Sequence, residues 1–228
     1  MADFPFDIVL FDLDGTLVDS ARDLAPAVNH ALTIAGRRAV PESMTRTFIG
    51  GGAKLMLQRA LEATGGMVED AEFASLTESL LDHYVEHIAD NTVPYPGCVA
   101  ALGQLRRQGC TLAVCTNKAE DAARRLLARL EMADHFTALY GGDTLGRERS
   151  KPQPDMLHAA ISDCGDGRAV MIGDSTFDVG AARNAGIPVV TCRFGYHDVP
   201  VAELDGDIMI DHYDELAQAL QTLDQAGI

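Results

Sequence analysis

The stretch Asp7-Ile-Val-Leu-Phe-Asp-Leu-Asp-Gly-Thr-Leu-Val-Asp19 constrains the fold more than any other part of the chain. Its apolar, β-prone run from Ile8 to Phe11 predicts a strand, and Gly15-Thr16 predicts the turn that ends it. Successive strand residues point to opposite sides, so Asp12 and Asp14 share one side while Leu13 turns away. Two carboxylates held that close repel, and a hard divalent cation with oxygen ligands relieves the repulsion. The plainer alternative is a strand that runs out into a solvated acidic turn. The remainder of the chain decides between the two.

Beyond this strand the pattern is helical as far as residue 89. Asp19-Ser20 is a natural N-cap, and Leu24, Val28, Ala31, Leu32 and Ala35 mark a helix that reaches Gly36. Pro26 lies more than a turn inside it, which predicts a late start or a bend. A short helix follows Pro41, ending near Ile49, and after Gly50-Gly51-Gly52 another is expected over 53–63. An amphipathic run over 69–89 carries Phe73, Leu76, Leu80, Leu81, Tyr84 and Ile88 as its apolar stripe.

Past Pro94-Tyr-Pro-Gly97 strands and helices alternate. Strands are expected at 111–116, 138–140, 169–172, 189–192 and 208–210, and helices at 99–108, 120–130, 155–163, 177–185 and 214–223. That rhythm predicts an α/β fold: a Rossmann-like parallel sheet with helices on both faces and an inserted all-helical cap. The core takes residues 1–18 and 90–228, and the cap takes 19–89. Such sheets bind ligands at the carboxyl ends of their strands, which is where the insert departs.

Composition narrows the partners. With 34 acidic against 18 basic residues the formal charge is -16, and the arginines and lysines are scattered. Nucleic acid and anionic membrane surfaces are therefore not expected partners, while a small anionic substrate is not excluded, since a local site can be positive within a negative molecule. The five cysteines lack Cys-x-x-Cys spacing and read as reduced thiols. No stretch approaches the roughly 18 apolar residues of a membrane span, and the N-terminus lacks a signal-peptide plan. A soluble, cytoplasmic protein is expected, as a monomer or a homodimer.

Three further groups stand at strand ends. Thr116-Asn117-Lys118 closes the strand over 111–116 with a hydroxyl and an amide. Ser150-Lys151-Pro152 is expected to open a helix, adding an ammonium to free N–H groups that favour an anion. Gly173-Asp174-Ser175-x-x-Asp178 ends a buried strand with two more carboxylates. Each alone is commonplace, but together they fit phosphoryl transfer. A carboxylate attacks phosphorus, while a divalent ion, a lysine and a hydroxyl neutralise the equatorial oxygens.

These motifs, from Asp12-Leu-Asp-Gly-Thr16 to Gly173-Asp174-Ser-x-x-Asp178, resemble those of the haloacid dehalogenase superfamily, in its phosphatase branch with a helical cap. The resemblance spans essentially the whole chain and extends to Phe48-Ile-Gly-Gly-Gly-Ala53 and Arg193-Phe-Gly-Tyr196. It implies a Mg²⁺-dependent phosphatase of 2-phosphoglycolate or a similarly small phosphomonoester. Asp12 would be the nucleophile and Asp14 the general acid and base. Thr116 and Lys151 would hold the phosphoryl oxygens, with Asn117 assisting. Mg²⁺ would be bound by Asp12, the backbone carbonyl of Asp14 and Asp174, with Asp178 orienting that shell. Gly50 and Gly51 correspond to a loop that faces the substrate in relatives, and the flanking Arg46 and Lys54 are candidates to meet a substrate carboxylate.

A sugar-phosphate phosphatase or a phosphosugar mutase would share these motifs. A phospho-accepting receiver domain combines similar residues, but lacks both the N-terminal Asp-x-Asp and an insert of this length. His83 and His87 have i,i+4 spacing without a third ligand, and read as surface or packing residues. Tyr196 and His197 follow a strand end, either near the site or in a plain loop.

Overall fold

The computed structural model describes residues 4–227. The first strand, β1 (Ile8–Phe11), is followed by a two-residue strand, β2 (Val18–Asp19). Four helices come next: α1 (Ala21–Ile34), α2 (Glu42–Arg46), α3 (Gly52–Thr64) and α4 (Asp70–Glu86). The chain returns through β3 (Val93–Pro94) and then alternates: α5 (Cys98–Arg107), β4 (Thr111–Cys115), α6 (Glu120–Arg129), β5 (Ala138–Tyr140), α7 (Asp155–Asp163) and β6 (Ala169–Gly173). It ends with α8 (Thr176–Ala185), β7 (Val189–Cys192), β8 (Ile208–Ile210) and α9 (Leu216–Gln225).

The main sheet has six strands in the order β5-β4-β1-β6-β7-β8, all parallel. The chain builds outward on one side of β1 and then crosses back to the other, so β1 lies at the topological switch where such sheets place their ligands. Phe11 is in register with Val114 on one side and Ile172 on the other. The residues just past these positions, Asp12, Thr116 and Asp174, therefore leave the sheet at one edge.

Alternation along the strands divides the core. Val9 and Phe11 of β1, with Leu112, Val114, Val170 and Ile172, pack with α5, α6 and α9. Ile8 and Leu10, with Ala113, Cys115, Ala169 and Met171, face α7 and α8. Both faces are covered, which is why these strands read as continuous apolar runs. Each Val, Leu, Ile, Phe or Met side chain among them, fully buried, contributes about 1.5–3 kcal/mol by its removal from water. All five cysteines are free, and four are buried.

In the helical segment α1 packs on α2, α3 and α4. Its apolar cluster runs without a break into the sheet through Leu13, Leu17, Val18 and Ala21. Three local expectations are corrected here. The chain between 19 and 89 is not helical throughout its ends: Val18 pairs with Pro94 and Asp19 with Val93 in an antiparallel ribbon. α1 starts at Ala21 and not late, with Pro26 inside it on the exposed face. Ser20 does not cap α1 with its side chain. The Tyr196 hydroxyl accepts from the N–H groups of Ser20 (2.6 Å) and Ala21 (2.9 Å) instead.

One buried carboxylate fastens the segment where it returns to the sheet. Asp23 of α1 is 2% exposed. It accepts from the backbone N–H groups of Asn91 and Thr92, the Asn91 amide and the Thr92 hydroxyl, at 2.6–3.0 Å. No helix among the described residues is long and apolar enough to cross a membrane.

Candidate active site

The strand ends converge as their register requires. Asp12 follows β1 directly and its N–H donates to the carbonyl of Ile172, which holds it against β6. The Lys151 ammonium lies 2.8 Å from Asp12 Oδ1 and 2.5 Å from Asp178 Oδ1. Lys151 belongs to a turn: α7 begins only at Asp155, so no helix N-terminus accompanies the ammonium, contrary to the sequence expectation. The Lys151–Pro152 peptide bond is cis.

Asp178 serves two purposes. Its Oδ1 receives Lys151, and its Oδ2 accepts from the N–H groups of Asp174 (3.1 Å) and Ser175 (3.0 Å) and from the Ser175 hydroxyl (2.6 Å). Asp174 is held separately, by the Thr16 hydroxyl at 2.9 Å and the Tyr196 N–H at 2.7 Å. The backbone must come close to it. Gly15 has φ +91°, and a Cβ there would lie 2.2 Å from Asp174 Oδ2, so only glycine fits.

Oxygens of Asp12, Asp174 and Asp178 lie within 4.8 Å of one another, all buried. Burial, opposed in part by Lys151, pushes the Asp12 carboxyl up to about 6. Burial, reinforced by Asp178 and Asp12, raises that of Asp174 well above the ordinary range. Lys151 is the one cation bonded to this trio among the described residues, and the carboxylates raise its pKa against the effect of its own burial. Three acidic oxygen donors and one ammonium leave an excess of negative charge, which fits a hard divalent cation. The Asp14 carboxylate is not part of the trio.

Asp14 faces the other way, into a cavity of about 60 Å³ that it shares with Asp12, Thr116, Asn117, Gly50 and Lys54. Its partners are the Ser20 hydroxyl at 2.6 Å and the Lys118 ammonium at 2.8 and 3.1 Å. Lys118 is buried and its ammonium lies over the Tyr84 ring of α4, 4.3 Å from the centroid. Asn117 donates to the carbonyls of Gly50 and Lys151, both at 3.1 Å, and so ties the helical segment to the sheet edge. Thr116 accepts from the Lys118 N–H at 3.3 Å.

The predicted residues of the helical segment fare unequally. Gly50 and Lys54 line the cavity, and Lys54 is exposed at its rim. Gly51 does not line it, and a Cβ there would meet Leu55 and Phe177. Arg46 does not reach it: its guanidinium is paired with Asp19 (2.9 Å) and Glu42 (3.0 Å) and lies over the Tyr196 ring. His83 and His87 form a ring stack with His30, at 4.7 and 4.8 Å between centroids, outside the site. His197 bonds to the carbonyl of Cys192. Lys118, Ser20 and Thr16 carry no site role in the sequence reading, although each stands in a motif or cap that it names. The signal for Lys118 was its place two residues past Thr116 on one strand exit.

Comparison with known proteins gives the family. The family model described as haloacid dehalogenase-like hydrolase matches residues 9–192. A protein named phosphoglycolate phosphatase from Mesorhizobium japonicum is 40% identical, covering 93% of this chain and 94% of its own. A namesake from Agrobacterium fabrum is 39% identical, over 93% and 91%. The crystal structure of a predicted phosphoglycolate phosphatase from Haemophilus somnus superposes with a TM-score of 0.87 at 30% identity, covering 94% of this chain and 98% of that one. The chain is an enzyme that belongs to the haloacid dehalogenase-like hydrolases.

Proposed function

We propose that the protein is a Mg²⁺-dependent phosphatase that hydrolyses 2-phosphoglycolate or a similarly small phosphomonoester through an aspartyl-phosphate on Asp12. One observation carries this reading. Asp12 stands at the head of the central strand, bonded to Lys151, on the wall of a small cavity that also holds Asp14 and Thr116. The relatives named phosphoglycolate phosphatase, which align with nearly the whole chain, support the substrate class.

In this mechanism Asp12 attacks phosphorus as the bond to the substrate's alkoxide breaks, and Asp14 gives that alkoxide its proton. Water then attacks the same phosphorus and passes a proton to Asp14. The Asp12 carboxylate departs, and inorganic phosphate is released. Lys151 and the Thr116 hydroxyl hold the phosphoryl oxygens, assisted by Asn117, while Asp178 keeps Lys151 in place. Asp12, the Asp14 backbone carbonyl and Asp174 would hold Mg²⁺, which when bound supplies positive charge against the phosphoryl oxygens.

Residues 1–18 and 90–228 act in this reading as the core and 19–89 as a cap. The ribbon of β2 and β3 would be the hinge, and Asn117 to Gly50 the closing contact. A cytoplasmic site of action agrees with the free cysteines. A panel of phosphate esters ranked by kcat/KM in Mg²⁺ tests the function. 2-Phosphoglycolate is expected to rank far above hexose phosphates, and a preference for hexose phosphates would contradict it.

A further inference from the structure

The cavity holds two hydrogen-bond donors that the phosphoryl chemistry does not use. The Tyr84 hydroxyl, on a residue 2% exposed, finds no hydrogen-bond acceptor among the described residues, and the charge it meets there is the Lys118 ammonium. Beside it, the Lys118 ammonium has three N–H donors, which it directs at the two oxygens of Asp14 and toward Tyr84. Buried polar groups are nearly always satisfied, and an ammonium can only donate to the phenol oxygen, so the Tyr84 O–H without an acceptor marks a place for one. Much of the surrounding wall is apolar: Leu24, Ile49, Met56, Leu80, Leu81 and Ala122.

We propose that Lys118 and Tyr84 form a carboxylate subsite, so that the substrate is a phosphomonoester carrying a carboxylate a short reach from its phosphate. The inference rests on the phosphatase reading above and adds the residues that select the substrate. Two donors side by side match the two oxygens of a carboxylate, and the charge of the ammonium favours an anion over a hydroxyl. The same cavity carries Asp12 and Asp14 on its wall, so a carboxylate held there lies a short reach from the phosphoryl site. The other cations nearby are poorer candidates. Arg46 is committed to Asp19 and Glu42, and Lys54 and Arg147 are exposed, where solvent screens them.

The subsite also links selection to the helical segment. Tyr84 belongs to α4, while Lys118 follows β4. A bound carboxylate would bridge the two bodies and reinforce the contact that Asn117 makes with Gly50.

The test compares 2-phosphoglycolate with ethyl phosphate, the same skeleton with a methyl group in place of the carboxylate. The wild-type enzyme is expected to prefer 2-phosphoglycolate strongly. Lys118→Met is expected to lower the ratio of the two kcat/KM values by roughly 100-fold, and Tyr84→Phe by roughly 10-fold, mainly through KM for 2-phosphoglycolate. Removing an unpartnered hydroxyl does not cost the fold, so Tyr84→Phe decides the matter even if Lys118→Met fails to fold. An equal fall for both esters, or an unchanged ratio in folded Tyr84→Phe, would overturn the subsite. So would a wild-type enzyme that treats the esters alike, which leaves the phosphatase reading standing. Hydrolysis of neither ester would instead remove that reading.

Discussion

Lys151 donates to Asp12 at 2.8 Å across 139 positions of sequence. The same ammonium reaches Asp178, so one cation orders two of the three buried carboxylates that could hold a metal. The third, Asp174, relies on the Thr16 hydroxyl and the Tyr196 N–H. This unequal division gives each residue a distinguishable signature.

Replacing Lys151 by Met leaves Asp12 and Asp178 buried without their counter-charge. The loss of one partner of such a network costs about 3–5 kcal/mol, and removal of a positioned donor costs roughly 100- to 1000-fold in kcat. Calorimetric melting should show a lowered Tm that Mg²⁺ partly restores, because a cation substitutes for the missing ammonium. A variant with unchanged Tm would mean that the pair is not ordered in solution.

Metal affinity should depend steeply on pH. A ligating carboxylate must be ionised, and burial pushes the Asp12 carboxyl up to about 6 from an ordinary value of 3.8. The folded, metal-free protein therefore holds a proton that the unfolded chain releases. This group's contribution to stability is present at low pH and is lost as pH rises from 3.8 through about 6. Mg²⁺ binding must expel that proton, so affinity should climb about tenfold per pH unit below pH 6, and more steeply because Asp174 is raised too. Calorimetric titrations between pH 5 and 8, spanning about that value, would read the slope and the released protons. Affinity independent of pH would contradict the buried trio.

Asp23→Ala isolates the anchor of the helical segment. It removes the acceptor of Asn91 and Thr92, leaving their donors unpaired, at a cost of about 2–4 kcal/mol. Hydrogen exchange at the amides of Asn91 and Thr92 should accelerate, while exchange in β1, β4 and β6 follows only the global loss of stability. Unchanged protection at both amides would show that the anchor carries no load.

The parallel sheet was legible because its inner strands are buried, mostly apolar runs closed by polar residues, a strictly local signal, while the edge strands β5 and β8 are part-buried. The sequence also placed Asp12, Thr116 and Asp174 at those closures. What escaped it depends on partners distant in sequence. Ser20 looked like a helix cap, but its hydroxyl goes to Asp14 and the cap comes from Tyr196, 176 positions away. The ribbon of β2 and β3 is two residues long, too short for any periodicity. Lys151 was expected at a helix start because Pro152 follows it, yet the turn continues to Asp155. Arg46 was a candidate by its nearness to the glycine loop, and only the fold reveals that Asp19 and Glu42 hold it. Lys118 went unnoticed because its burial between Asp14 and Tyr84 joins two parts of the chain that no spacing connects.

The central claim is that Asp12 itself becomes phosphorylated. Rapid quenching of the enzyme with 2-phosphoglycolate in Mg²⁺, followed by peptide mass spectrometry in acid, tests it most directly. The account predicts a transient acyl phosphate on Asp12 that decays as inorganic phosphate appears, and its absence, along with turnover, from Asp12→Asn. Turnover by folded Asp12→Asn at the wild-type rate, or a phosphoryl group found on another residue, would contradict it.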